Sequence, residues 1–288
     1  MKLGKINRQS IAISNFTSVL KEYDAMPSEL FIAGTVPPKK VPCVAIIGSR
    51  RPTQYGKDVT YQLAYDLAKQ GVVIVSGLAY GIDAVAHQAA LDAGGLTIAV
   101  MANGLHRIYP SQHGALAERI VASGGAVISE QDLGVEARKY HFLARNRIVS
   151  GLADAIVITE ATARSGTLST VGHALDQNKE VFAVPGPITS LLSAGPNRLL
   201  QQGAHVALSA RDILEVIAPT VAPQQTRIIL GDTPVEVHII EHMQRGIRTT
   251  DELLQVAHHP ASEILQALTL MELKGIIRTT AGAIHLCS

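Results

Sequence analysis

The sequence predicts an α/β chain, a doubly wound, Rossmann-like and mostly parallel sheet followed by a small C-terminal winged-helix unit. Short apolar, β-branched runs recur at 43–47, 72–76, 96–101, 126–129, 155–159 and 181–184, with starts 24 to 30 residues apart, which is the period of a βα unit. Amphipathic segments at 57–70, 83–93 and 167–177 lie between them and are long enough for helical crossovers. The runs are continuously apolar rather than alternating, as strands buried on both faces of a parallel sheet require. Such a sheet binds ligands outside the carboxyl ends of its strands.

Taken in order, residues 1–40 read as a lead-in with one helix, Asn15 to Tyr23, and a connector Pro37-Pro38-Lys39-Lys40 that cannot join a regular element. The α/β domain is expected over 41–217. A Pro- and Gln-containing run, Ala218 to Gln225, opens a linker over 218–229. The winged-helix unit follows over 230–288, with helices Val235 to Gln244, Thr250 to Val256 and Ala261 to Lys274 and strands Ile276 to Thr279 and Ala283 to Leu286. Thr249 or Thr250 supplies a cap ahead of Asp251 and Glu252, and Ala281-Gly282 makes the turn between the strands.

A chain of 288 residues with 47% hydrophobic content can bury a large core. Its apolar stretches, such as Val72 to Val75, fall far short of the roughly 18–20 residues of a membrane span. No signal peptide is read at the start, so the expected location is the cytoplasm. Cys43 and Cys287 suit neither a disulfide framework nor a metal site. The net charge is +1, with 14 Lys+Arg against 14 Asp+Glu over 41–220 and 5 against 7 over 227–288. Any nucleic-acid footprint must therefore be a local patch.

The first strand ends in Gly48-Ser49-Arg50-Arg51, where backbone amides and two guanidinium groups gather at the sheet edge that favours anions. A dinucleotide site would need a glycine in place of Arg50 and an acid in place of Ser76, and Gly56-Lys57 comes too late for a Walker loop. NAD and ATP are disfavoured on those grounds. The second turn, Ser76-Gly77 to Asp83, has two glycines that let backbone approach a ligand; Asp83 is read as a cap rather than a catalyst, with His87 one turn on.

The segment from Arg138 to Arg147 carries four cations (Arg138, Lys139, Arg145 and Arg147) and no acid, interleaved with Tyr140 and Phe142 and including Asn146. Cations for phosphates and rings for unpaired bases are the pairing that single-stranded nucleic acid uses. After strand five, Ser165, Gly166 and Thr167 open a helix and offer amides and hydroxyls to an anion, although Thr167 fits equally as an N-cap. His238 and His242 are spaced for a metal, but no third ligand accompanies them in the sequence and they are read as surface histidines.

Together, 45–56, 76–87, 142–152, 165–168 and 182–186 closely resemble the bacterial DNA-processing protein DprA (Smf) family. The resemblance implies an extended Rossmann fold that binds single-stranded DNA, pairs as a homodimer and loads RecA recombinase onto DNA during natural transformation, with no catalytic residue, cofactor or metal. It carries a phosphate pocket onto Arg50, Arg51, Ser76, Gly77 and Ser165 to Thr167, and backbone and base contacts onto Lys139, Phe142, Arg145 and Arg147. A dimer surface near Asn197 to Gln202 is also implied. Many members carry an N-terminal helical domain of the SAM kind, which 40 residues cannot supply. The third helix of the C-terminal unit has Lys274 as its strong cation beside Glu263 and Glu272, so a protein-contact or regulatory role is expected of it rather than groove reading.

Two other classes fit the sequence less well. A nucleotide phosphoribohydrolase of the lysine-decarboxylase-like group needs a carboxylate three residues after the glycine-threonine pair, where this chain has Thr170. A small-nucleotide carrier would leave the basic and aromatic segment at 138–147 without a role.

Overall fold

The computed structural model describes residues 3–219, 233–244, 247, 249–256, 259–274, 276–280 and 283–286. The chain forms two units, Met1–Ala222 and Pro223–Ser288.

The first unit is built on a nine-stranded sheet. Six strands match the apolar runs: β3 (Cys43–Ile47), β4 (Val73–Ser76), β5 (Thr97–Met101), β6 (Ala126–Ser129), β7 (Ala155–Ile158) and β8 (Glu180–Ala183). With β1 (Ile6–Ser10), β2 (Glu29–Gly34) and β9 (His205–Val206), the order across the sheet is β1-β2-β6-β5-β4-β3-β7-β8-β9. From β6 to β9 all neighbours are parallel. The chain thus starts its parallel part in the middle at β3, winds out through β4 to β6, then returns to the other side at β7. The switch point between β3 and β7 is where a doubly wound sheet opens a crevice.

Both faces are covered, as the continuous apolar strands require. Cys43, Ala45 and Ile47 point to the face covered by α5 (Lys139–Leu152) and α6 (Thr167–Asp176). Val44 and Ile46 point to the face covered by α2 (Gln54–Lys69) and α3 (Ile82–Asp92). A third cluster packs α4 (Gly114–Ala122) against Ala99, Met101 and Val127.

The lead-in departs from expectation. Residues 1–40 carry β1 and β2, which add an antiparallel edge to β6, and the expected helix over 15–23 is one short turn, α1 (Asn15–Ser18), followed by a 3-10 turn over Val19–Glu22. β1 reads Ile-Asn-Arg-Gln-Ser and is nowhere fully buried, so it lacks the apolar run that marks a strand; it is recruited by pairing with β2.

Two further helices, α7 (Ala194–Gln201) and α8 (Ala210–Ile217), complete this unit. In the second unit, α9 (Pro234–Gln244), α10 (Thr250–Val256) and α11 (Ala261–Leu273) pack around Ile239, Met243, Leu253, Ile264 and Met271. The antiparallel pair β10 (Ile277–Thr280) and β11 (Ala283–Leu286) completes a winged-helix arrangement. His238 Nδ1 lies 2.7 Å from His259 Nε2 rather than against His242, and among the described residues no group of three metal-ligating side chains forms. Residues 220–229 of the expected linker, the Ala281-Gly282 turn and Cys287 lie outside the described residues.

Candidate nucleic-acid interface

A cavity of about 650 Å³ opens at the carboxyl ends of β3 and β7. Its walls come from five sequence-distant places: the turn at 48–50, Ala79 and Asp83 of the second turn, the loop at Tyr109, the first turns of α5, and the start of α6 at 165–167. Of the residues selected from sequence, Gly48, Ser49, Arg50, Lys139, Phe142, Arg145, Asn146, Ser165, Gly166 and Thr167 all line it. Arg51, Ser76, Gly77 and Arg147 do not.

The β3 turn is shaped by a residue that sequence reasoning passed over. Glu160, 2% exposed just beyond β7, accepts hydrogen bonds from the Thr53 amide at 2.8 Å and the Thr53 hydroxyl at 2.6 Å. Its own carbonyl accepts from Ser49 N at 2.7 Å. Thr53 Oγ1 in turn caps α2 by accepting from Gly56 N at 3.2 Å, a contact of a kind that contributes about 1 kcal/mol. A Cβ at Gly56 would stand 2.3 Å from the Glu160 carboxylate, so only glycine admits this packing. The turn is thereby fixed from behind, and Arg50 and Arg51 project from it exposed.

Arg50 lies over the ring of Phe142, with Cζ 5.1 Å from the centroid, a cation–π contact. Tyr109 stands beside Phe142, its ring centroid 5.6 Å away at 59°. Lys139 is exposed at the first position of α5. At α6, Thr167 N donates to Ser165 Oγ at 3.1 Å and Thr167 Oγ1 donates to the Gly48 carbonyl at 3.2 Å. Thr167 therefore ties the α6 start to the β3 turn, and the side-chain cap comes from Ser165. Asn146 Nδ2 donates to Ser169 Oγ at 2.9 Å.

The second turn is closed. Ser76 is fully buried and donates to the Ile46 carbonyl at 2.7 Å. Arg145, expected to grip the DNA backbone, is 4% exposed; its Nη1 donates to the Gly77 carbonyl at 2.6 Å and also to that of Val100. A Cβ on Gly77 would sit 2.2 Å from that nitrogen, so this glycine makes room for the chain's own arginine. Asp83 accepts from Gly77 N at 3.1 Å and Ala79 N at 3.3 Å; it sits in the first turn of α3 and closes the preceding loop, whereas the N-cap position expected of it is held by Gly81, with no side-chain cap bond. Burial pushes the Asp83 carboxyl upward against the opposing pull of Arg145 and those amides. Burial brings the Arg145 guanidinium down to about 10, with Asp83 opposing and Arg50 adding, and it stays charged at neutral pH. Arg147 is likewise engaged inside the fold, paired with Glu130 and packed against Met26.

Ion pairing divides the cations, and among the described residues the unpaired ones include those at the cavity as well as Lys5, Lys21, Lys39, Lys57, Lys69, Lys179 and Arg198 outside its wall. Arg8, Lys40, Arg107, Arg119, Arg147 and Arg211 each pair with a carboxylate. Among the described residues, Arg50, Arg51, Arg138, Lys139 and Arg164 do not, and each either lines the cavity or adjoins a lining residue.

Comparison with known proteins matches residues 9–218 to the DNA recombination-mediator protein A family and 218–283 to the DprA winged helix domain. The chain belongs to the DprA/Smf family. Protein Smf of Escherichia coli is 37% identical over 268 residues, covering 89% of this chain and 71% of that protein. The DNA processing protein DprA of Mycobacterium tuberculosis is 38% identical over 250 residues, covering 83% of this chain and 62% of that one. The structure of DNA processing protein A from Helicobacter pylori, described for its single-stranded DNA binding mode, superimposes with a TM-score of 0.67 at 32% identity, covering 76% of this chain and 99% of that one. Membership of DprA/Smf places the chain among proteins of DNA processing and recombination.

Two residues of this DprA/Smf site carried weak sequence signals. Glu160 is an acid just past the end of a buried strand, as Glu130 is after β6, so its position alone did not single it out. Tyr109 sits in a loop some 30 residues before the basic segment and gave no local signal; the ring that did, Tyr140, packs on His141 and is absent from the cavity wall.

Proposed function

We propose that this chain binds single-stranded DNA in the cavity between β3 and β7 and acts as a recombination mediator rather than as a catalyst. The observation that carries this reading is the gathering of exposed, unpaired Arg50, Lys139 and their neighbours around a cavity that also holds Phe142. Unpaired cations keep their attraction for phosphate, and the ring offers a base its face, so affinity is salt-dependent and sequence-tolerant. The Ser165 to Thr167 turn lines the cavity at the start of α6, where a helix N-terminus favours an anion. In this reading Arg145 builds the floor, anchored on the Gly77 carbonyl behind it, and neither touches DNA.

The downstream role is the hand-over of the bound strand to RecA recombinase during natural transformation, by a homodimer in the cytoplasm. Membership of the DNA recombination-mediator protein A family is what supports this reading, and among the described residues no helix is long and apolar enough to cross a membrane. The second unit is left a protein-contact role: the outer side of α11 carries Glu263, Glu272 and Leu273, which suits a phosphate backbone poorly.

The test is a titration of labelled poly-dT at about 0.05 M and 0.5 M salt, a span that shortens the Debye length roughly threefold. Binding should weaken strongly at high salt, and Arg50→Ala and Lys139→Ala should each lower affinity and reduce the salt slope by about 0.7, the share of one single-strand phosphate. Equal affinity for duplex, or unchanged binding in both variants, would overturn the reading.

A further inference from the structure

We propose that Tyr109 is a second base-stacking residue of this site, forming with Phe142 a platform that receives two successive unpaired bases; this rests on the single-strand reading above. The ring lines the cavity, is 47% exposed, and stands 5.6 Å from Phe142. Its hydroxyl makes no hydrogen bond among the described residues, whereas those of Tyr55, Tyr61 and Tyr80 bond Pro185, Asp92 and Gln112. The fold makes no other use of this ring.

The loop that carries Tyr109 is held firmly. Leu105 and Ile108 are buried in the core beside α4. Asn103 Nδ2 donates to the carbonyls of Gly104 at 3.0 Å and Arg107 at 2.7 Å. Gly104 N donates to the Val135 carbonyl at 3.0 Å, and Gly134 N donates to His106 Nδ1 at 2.9 Å. His113, at the far end, lies 2.8 Å from the Leu78 carbonyl through Nδ1. A ring fixed in this way needs little ordering when a base arrives, which is how pre-organisation raises affinity.

The geometry also limits what can bind. A base sandwiched between two rings needs about 6.8 Å, twice the roughly 3.4 Å stacking distance, and the rings here are closer than that. The two rings therefore take one base each rather than sharing one, with Arg50 over Phe142 placed for the phosphate. The matching ligand is an unpaired strand of two or more nucleotides rather than a mononucleotide.

The inference is tested by measuring affinity for an oligo-dT strand and for an abasic strand of equal length. Tyr109→Ala should weaken oligo-dT binding about tenfold, within the range for losing one base–aromatic stack, and leave abasic binding unchanged, while Tyr109→Phe should retain full affinity. The chain has no Trp, so Tyr109→Trp adds a single reporter whose emission should fall when oligo-dT binds. Wild-type affinity in Tyr109→Ala while Arg50→Ala is weakened would sink the inference and leave the binding reading standing. So would an equal loss on the abasic strand, or a tryptophan emission indifferent to DNA. Failure of the wild-type protein to bind oligo-dT would remove the binding reading and the inference together.

Discussion

The turns after β3 and β4 look alike in the sequence, each placing a serine beside a glycine at the end of a buried parallel strand, yet the fold uses them in opposite ways. Gly48-Ser49-Arg50 lines an open cavity. Ser76-Gly77 is sealed by the guanidinium of Arg145, which occupies the space a ligand would take. A glycine beside a strand end therefore marks a close approach without saying who approaches. At Gly48 it is Ile82 of α3 and the Glu160 carbonyl, 2.7 and 2.9 Å from where a Cβ would stand, and at Gly77 it is Arg145 of α5.

The comparison can be broken most decisively at Arg145. Arg145→Leu strips a donor from the buried carbonyls of Gly77 and Val100 and should cost about 2–5 kcal/mol of stability, read as a fall in the urea midpoint. A stable Arg145→Leu protein with weakened DNA binding would instead make Arg145 a surface contact. Gly77→Ala drives a methyl group against that same guanidinium and should cost about 1–3 kcal/mol.

His87, buried on α3 behind the second turn, sharpens the contrast through pH. Burial, with His113 and Arg145 nearby, brings its imidazole down to about 3 from the ordinary 6.5. The unfolded chain takes up a proton near 6.5 and the folded one does not, so stability is complete above that pH and falls as pH drops toward 3. The loss is about 1.4 kcal/mol at pH 5.5. His87→Gln should flatten that part of the pH–stability curve. Gly166 lies at the open end of the series: an added Cβ meets nothing within 4 Å and its φ is −60°, so Gly166→Ala should change stability by less than about 0.5 kcal/mol. A loss comparable to that of Gly77→Ala would mean that the α6 start is as crowded as the second turn.

The sheet was legible because burial on both faces forces continuous apolar runs, and β3 to β8 sit where those runs are. β1 was not, because a solvated edge strand such as Ile6–Ser10 needs only a partner. At the site, the residues on the turn and at the start of α5 were legible from charge and ring content. The division within α5 was not. Lys139 and Phe142 face the cavity while Arg145 and Arg147 are engaged inside the fold, and segment composition cannot report which face of a helix meets the sheet. Tyr109 escaped for another reason, since its partner ring is distant in sequence.

The buried Glu160 carboxylate sets a schedule for synthesis. It joins Thr53 to a strand end 107 residues later, so the arginines at 50 and 51 leave the ribosome well before the wall they work against exists. At about 5–20 residues per second the interval is roughly 5–20 s. During that time the nascent chain carries Arg50 and Arg51 without the Glu160 contact that fixes their turn.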